Sequence, residues 1–107
     1  MPILPTERRA LDALKSKLEN KYELLDLKVF GSKAKGFDNP ESDLDVMIVL
    51  KNLTHDIESE IDDLIFDINI EHDCLITAIF FSQEELRAGS MSESPIYKKI
   101  IQEGVSL

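Results

Sequence analysis

Two short groups of polar residues, separated by ten positions, have the types and spacing for phosphate and metal chemistry. Gly31 and Ser32 follow an apolar segment, and Asp43 and Asp45 open the next one. A glycine leaves room for close backbone approach, and a serine hydroxyl and exposed amides at a turn can donate hydrogen bonds to phosphate oxygens. The first group is therefore predicted to bind phosphate, although an ordinary turn at a strand end is the simpler interpretation of Gly31-Ser32 taken alone.

The second group predicts a metal site. Asp43 and Asp45 are two positions apart on a predicted strand, so their side chains leave the same face with α-carbons about 6.8 Å apart. Two carboxylates that face one point repel each other, and a divalent cation between them relieves the repulsion. Mg²⁺ prefers hard oxygen ligands and keeps positions open for phosphate and water, as phosphoryl transfer requires. Taken alone, the pair could also be a solvated strand edge.

A third carboxylate would complete a two-metal site, and two residues compete for that role. Glu71 and Asp73 both lie where the next strand is predicted to begin. We favour Asp73 because it directly precedes the apolar run Cys74-Leu75-Ile76 and so belongs to the strand, whereas Glu71 belongs to the turn that leaves the preceding helix. A carboxylate near the point of attack could also take a proton from an acceptor hydroxyl. Simple solvation of Asp73 at the strand edge is the alternative.

The combined pattern resembles a known signature. Gly31-Ser32, ten intervening residues and Asp43-x-Asp45 are similar to the motif of the DNA polymerase β-like nucleotidyltransferase superfamily. The chain length and the positions of Gly36 and Ser42 resemble the minimal nucleotidyltransferases within it. The motif covers only Gly31 to Asp45, while the order of predicted elements is similar over nearly the whole chain.

The resemblance implies roles for individual residues. It implies that ATP is the substrate, that two Mg²⁺ ions are bound, and that one group of residues binds the triphosphate while another holds the metal. Lys35 stands where many members have arginine, which implies a point-charge contact with phosphate in place of a bidentate one, or else a plain surface charge. The implied triphosphate-binding residues are Gly31, Ser32 and Lys35, and the implied catalytic and metal-binding residues are Asp43, Asp45 and Asp73.

The resemblance also implies an activity and a partner. The activity is transfer of a nucleoside monophosphate, AMP from ATP, to an acceptor hydroxyl. Minimal nucleotidyltransferases commonly pair with small helical proteins of the HEPN type, and some are antitoxins that adenylylate them. The alternative is a non-catalytic module of the same fold that binds nucleotide or protein and masks a partner. A third, weaker alternative is a structural domain stabilised by Ca²⁺ or Mg²⁺.

Helical signals occur in four segments. Thr6 is a candidate N-cap for a helix that continues to about Asn20, and Thr54 is a candidate N-cap for a second helix. Ser82 with Glu85 predicts a short helix, and the segment from Ser94-Pro95 to Gly104 predicts another. Apolar residues recur at helical spacing in the first two helices: Ala10, Leu11, Leu14 and Leu18, then Ile57, Ile61, Leu64, Ile65 and Ile68.

Strand signals alternate with the helical ones. Strands are predicted over Leu24 to Phe30, over Asp43 to Leu50 with one strongly apolar face, and from about Ile70 to Ser82 as a central strand covered on both faces. Residues 105–107 are predicted to be extended. The elements together predict an α/β (α+β) nucleotidyltransferase fold, with a small mixed β-sheet packed by helices and a single domain over residues 1–107.

Composition and charge narrow the function classes. Twenty-one acidic and twelve basic residues give a net charge of −9, which opposes binding to a long nucleic acid. The chain lacks an apolar run of the roughly 20 residues that a membrane span requires, and its first residues lack the pattern of a signal peptide, so we expect a cytoplasmic protein with no membrane partner. The single cysteine, Cys74, excludes an internal disulfide and a cysteine-based zinc cluster.

Overall fold

The computed structural model describes residues 3–31, 43–89 and 91–107. The elements follow one another as α1 (Pro5–Lys21), β1 (Leu24–Phe30), β2 (Leu44–Leu50), α2 (His55–His72), β3 (Ile76–Ser82), α3 (Gln83–Arg87), α4 (Pro95–Glu103) and β4 (Val105–Ser106). Within the described part of the chain, no helix is long and apolar enough to cross a membrane.

The four strands form one mixed sheet in the order β3-β2-β1-β4. β1 is antiparallel to β2 and to β4, whereas β2 and β3 run parallel. The connection between the parallel pair contains α2, as a parallel crossover requires. The prediction of a small mixed sheet packed by helices is confirmed.

The larger core lies between α1, α2 and one face of the sheet. The alternation in β2 directs Leu44, Val46, Ile48 and Leu50 to this face, and all four are fully buried. The predicted stripes of α1 and α2 pack against them. On the opposite face a smaller cluster joins Met47, Val49 and Phe81 to Ile100 of α4. The two clusters together hold β2 between apolar layers and fix its register.

Most of the predicted helix ends are confirmed by side-chain caps. The Thr54 hydroxyl accepts a hydrogen bond from the Ile57 amide at 3.1 Å, and Ser82 and Glu85 form the predicted capping box. The prediction for α1 is wrong by two positions, because the helix begins at Pro5. There the Glu7 carboxylate accepts a hydrogen bond from the Leu4 amide at 2.9 Å. The side chain that caps this helix therefore belongs to its own first turn.

The prediction for β3 is wrong in two respects. The strand begins at Ile76, not near Ile70, because α2 continues to His72 and ends at Asp73 in the left-handed conformation. Asn69 of α2 fixes the start of the strand, since its side chain accepts from the Ile76 amide at 2.8 Å and donates to the Ile76 carbonyl at 3.2 Å. Within the described sheet β3 is also an edge strand, and β2 occupies the inner position that we expected for it.

Candidate active site

Gly31 directly follows β1 in a conformation that favours glycine. Its φ is +78°, in the region that L side chains rarely adopt, and a Cβ built on it would lie 2.5 Å from Oδ2 of Asp45. The antiparallel register explains the contact, because Phe30 is aligned with Asp45. The sequence therefore places a residue without a side chain directly against the predicted metal ligand.

Asp45 is held from its other side by β3. The parallel register aligns Asp45 with Thr77, and the Thr77 hydroxyl donates a hydrogen bond to Oδ1 of Asp45 at 2.7 Å. One carboxylate oxygen thus faces a donor on β3, and the other faces the backbone of Gly31. Thr77 was missed in the sequence because its only signal is the pairing register, which local patterns do not reveal.

Asp43 lies at the same end of the sheet. It is exposed and directly precedes β2, and the first strand residue after it, Leu44, donates its amide to the Leu75 carbonyl at 2.8 Å. That bond fixes the point where the chain enters the sheet. Asp43 and Asp45 are therefore two positions apart at the entrance of β2, as predicted, with the second of them inside the strand.

The structure does not bring a third carboxylate to this pair within the described residues. Asp73 is the C-cap of α2 and not a strand residue, and Glu71 lies inside the helix and not in a turn, so both predicted placements are wrong. Across residues 3–31, 43–89 and 91–107, no three His, Cys, Asp or Glu side chains are grouped so that they could hold a metal ion. A ligand role for Asp73 stays a prediction without geometric support.

The remaining predicted phosphate-binding residues cannot be placed. Ser32 and Lys35, together with Gly36 and Ser42 of the motif, lie outside the described residues. Their roles stay predictions. The described part of the site consists of Gly31, Asp43 and Asp45, with Thr77 added by the structure.

The donors present at this end of the sheet suit Mg²⁺. Asp43 and Asp45 offer carboxylate oxygens, and Mg²⁺ binds through one or two protein carboxylates while keeping other positions for water and substrate phosphate. Because Gly31 has no side chain, the Asp45 carboxylate can lie close to its backbone. Asp43 and Asp45 therefore offer the type of oxygen donor that a divalent ion takes.

Comparison with known proteins gives a family and a fold. The family described as the central palm domain of mitochondrial-like poly(A) RNA polymerase matches residues 4–91. No curated protein matches the chain. Among solved structures, a candidate minimal nucleotidyltransferase is similar with a TM-score of 0.67 and 18% identity, over 98% of this chain and 96% of that one.

Two toxin-antitoxin structures are also similar. One was crystallised with AMP-PNP and has a TM-score of 0.62 and 17% identity, over 96% of this chain and 72% of that one. The other is a mutant of the toxin-antitoxin MntA-HpeT, with a TM-score of 0.59 and 18% identity, over 94% of this chain and 70% of that one. At these identities the likeness establishes the fold.

The family match and the fold define a nucleotidyltransferase. The chain belongs to the family of central palm domains of mitochondrial-like poly(A) RNA polymerases. Its fold is that of the minimal nucleotidyltransferases, so the resemblance that the Gly31 to Asp45 motif indicated is confirmed.

Proposed function

We propose that the protein transfers AMP from ATP to an acceptor hydroxyl, with Mg²⁺ held by Asp43 and Asp45. The observation that carries the proposal is the position of the Asp45 carboxylate, between the Thr77 hydroxyl and the backbone of Gly31, two residues after Asp43. A carboxylate that only covers a strand edge needs neither contact. The family match supports the same class of reaction.

The chain's own residues suggest how the reaction proceeds. Asp43 and Asp45 hold the metal, which when bound supplies positive charge to the triphosphate oxygens. Gly31 has no side chain, so the Asp45 carboxylate can lie directly against the backbone that follows β1. The acceptor oxygen forms a bond to the α-phosphorus, the bond from that phosphorus to the pyrophosphate oxygen breaks, and an oxygen of Asp43 or Asp45 accepts the acceptor's proton. The products are the adenylylated acceptor and pyrophosphate.

Label transfer from α-³²P ATP in the presence of Mg²⁺ tests the proposal. We expect Asp45→Asn to lower transfer by about 100-fold or more, because loss of even an outer-shell partner of a metal site costs 10–100-fold. Asp62→Asn is the matched control, since Asp62 is exposed on α2, on the other side of the sheet from the site. Equal transfer by the two variants would contradict the assignment.

A protein acceptor and partner is the second part of the proposal. Phe66 and Ile70 lie one helical turn apart on α2, with 64% and 67% of their surface exposed, on the side away from the buried Ile61 and Ile65. α2 carries seven Asp and Glu residues and no Lys or Arg. Two copies of this face would bring like charges together. A different protein, with an apolar surface surrounded by positively charged side chains, therefore fits this face better than a second copy of the chain does.

We propose that this partner is a small helical protein of the HEPN type and that the pair is a toxin-antitoxin system. The two similar toxin-antitoxin structures support the proposal. A gene for a small all-helical protein beside this one would supply the partner to test. Phe66→Ala with Ile70→Ala should then weaken binding measured by calorimetry, whereas Ile101→Ala, which removes an apolar side chain of 46% exposure from α4, should not.

Two outcomes of the transfer assay would favour other functions. Partner binding without any label transfer would favour the non-catalytic module, which the lack of a third carboxylate among the described residues also favours. Transfer to an RNA oligonucleotide in preference to protein would contradict a protein acceptor. We expect little RNA labelling, because a net charge of −9 opposes binding to a polyanion. A cytoplasmic location is part of the same proposal.

A further inference from the structure

Thr77 is the residue of β3 that is aligned with Asp45 and touches its carboxylate. The two residues are aligned in the parallel register, and aligned neighbours project from the same face of a sheet. The positions on either side, Ile76 and Ala78, project to the opposite face and belong to the larger apolar core. At the β3 position aligned with Asp45, the chain therefore has a hydroxyl where a third carboxylate could stand.

We infer that Thr77 makes this a site for one tightly bound divalent ion, in which its hydroxyl positions Asp45 as the ligand. The inference rests on the proposed metal-dependent transfer and deepens it, because it replaces the two Mg²⁺ ions implied by the family motif with one. Thr77 is a positioning residue here, and Asp43 and Asp45 remain the ligands.

Charge supports a single ion. The two aspartates carry two negative charges, so the ligands that the protein itself supplies balance one divalent cation, and any further negative charge comes only from a bound triphosphate. A second cation in a two-metal site lies about 3.5–4 Å from the first, where the ions repel each other strongly unless further anionic ligands surround them. Threonine is neutral and adds no charge. Within the described residues, no other carboxylate joins the pair.

The geometry supports the positioning role. The outer torsion of an aspartate side chain has a broad distribution, so a free carboxylate adopts many orientations. Here the 2.7 Å hydrogen bond from Thr77 holds Oδ1, and the backbone of Gly31 limits the space around Oδ2. Only part of the Asp45 carboxylate therefore stays accessible, which favours one direction of approach for the metal.

Counting Mn²⁺ ions tests the inference without using the transfer reaction. The wild-type chain with bound AMP-PNP is titrated with Mn²⁺, and tightly bound ions per nucleotide-bound chain are counted by electron paramagnetic resonance. We expect one ion for the wild type and two for Thr77→Asp. Ser59→Asp is the control, because Ser59 is exposed on α2, on the other face of the sheet, and it should still give one ion.

The positioning role is tested by removing only the hydroxyl. Thr77→Val should keep one ion but weaken its affinity by about 10-fold, the lower end of the effect of outer-shell partners, and Thr77→Ser should restore it. Because Thr77 is exposed, the variants are expected to fold, and melting temperatures within a few degrees of wild type will verify this.

The possible results separate the two proposals. Two tight ions in the wild type, or unchanged Mn²⁺ affinity in Thr77→Val, would overturn the inference about Thr77 and leave the transferase proposal standing. One ion without label transfer would leave the inference standing and remove the transferase proposal. A wild type that binds no Mn²⁺ would overturn both.

Discussion

Replacing Gly31 with alanine tests the link between the turn after β1 and the Asp45 carboxylate. The new Cβ would have two effects: it would occupy a backbone conformation with φ of +78°, and it would lie 2.5 Å from Oδ2 of Asp45. The first effect is local. The second displaces a side chain that we assign to the metal site.

The structure offers a control that separates these effects. Gly89 has φ of +90°, but a Cβ built on it meets nothing within 4 Å among the described residues. Gly89→Ala should therefore lower the free energy of unfolding only because alanine disfavours the left-handed conformation, by about 1–2 kcal/mol. Gly31→Ala should lower the free energy of unfolding by the same amount and by about 1 kcal/mol more, because the hydrogen bond between Thr77 and Asp45 is displaced. The total for Gly31→Ala is about 2–3 kcal/mol.

Thermal unfolding and Mn²⁺ binding are the measurements. For a domain of this size an excess of 1 kcal/mol lowers the melting temperature by about 4 °C more in Gly31→Ala than in Gly89→Ala. The excess should disappear when both glycine variants are made in an Asp45→Ala background, because the clashing carboxylate is gone. Only Gly31→Ala should weaken Mn²⁺ binding. Equal melting temperatures for the two glycine variants, with equal metal affinity, would refute the proposed contact.

Further predictions concern the core, a helix end and the free thiol. Leu14→Ala should destabilise the fold by about 2–5 kcal/mol in urea unfolding because Leu14 is fully buried, whereas Leu25→Ala, 46% exposed, should stay within about 0.5 kcal/mol. Thr54→Ala should cost about 1 kcal/mol in the same assay, because the Ile57 amide loses its cap. Burial, together with the negative charges of two nearby carboxylates, raises the pKa of the Cys74 thiol. Since the thiolate is the reactive form, alkylation of Cys74 by iodoacetamide should reach its half-maximal rate at a higher pH than alkylation of free cysteine, and an equal or lower midpoint would contradict this.

Much of the fold could be predicted because its signals are local. The bounds of β1, the cap at Thr54 and the capping box at Ser82 each depend on residues within a few positions of one another. The start of β3 could not be predicted in this way. The end of α2, the left-handed Asp73 and the strand follow one another in sequence without a break in composition. Only the two hydrogen bonds between the Asn69 side chain and the Ile76 backbone show where the helix has stopped and the strand begins.

The pairing of Asp43 with Asp45 follows from the sequence alone, because the two-residue period of a strand places both on one face regardless of what surrounds it. The partners of Asp45 were decided by the tertiary structure. Gly31 reaches its carboxylate through the antiparallel register of β1, and Thr77 through the parallel register of β3. Registers are set by the packing of apolar side chains far apart in the chain, on α1, α2 and both faces of β2. For that reason the sequence could predict the two carboxylates that we propose as metal ligands, and the fold alone determined that a hydroxyl, not a third carboxylate, stands beside Asp45.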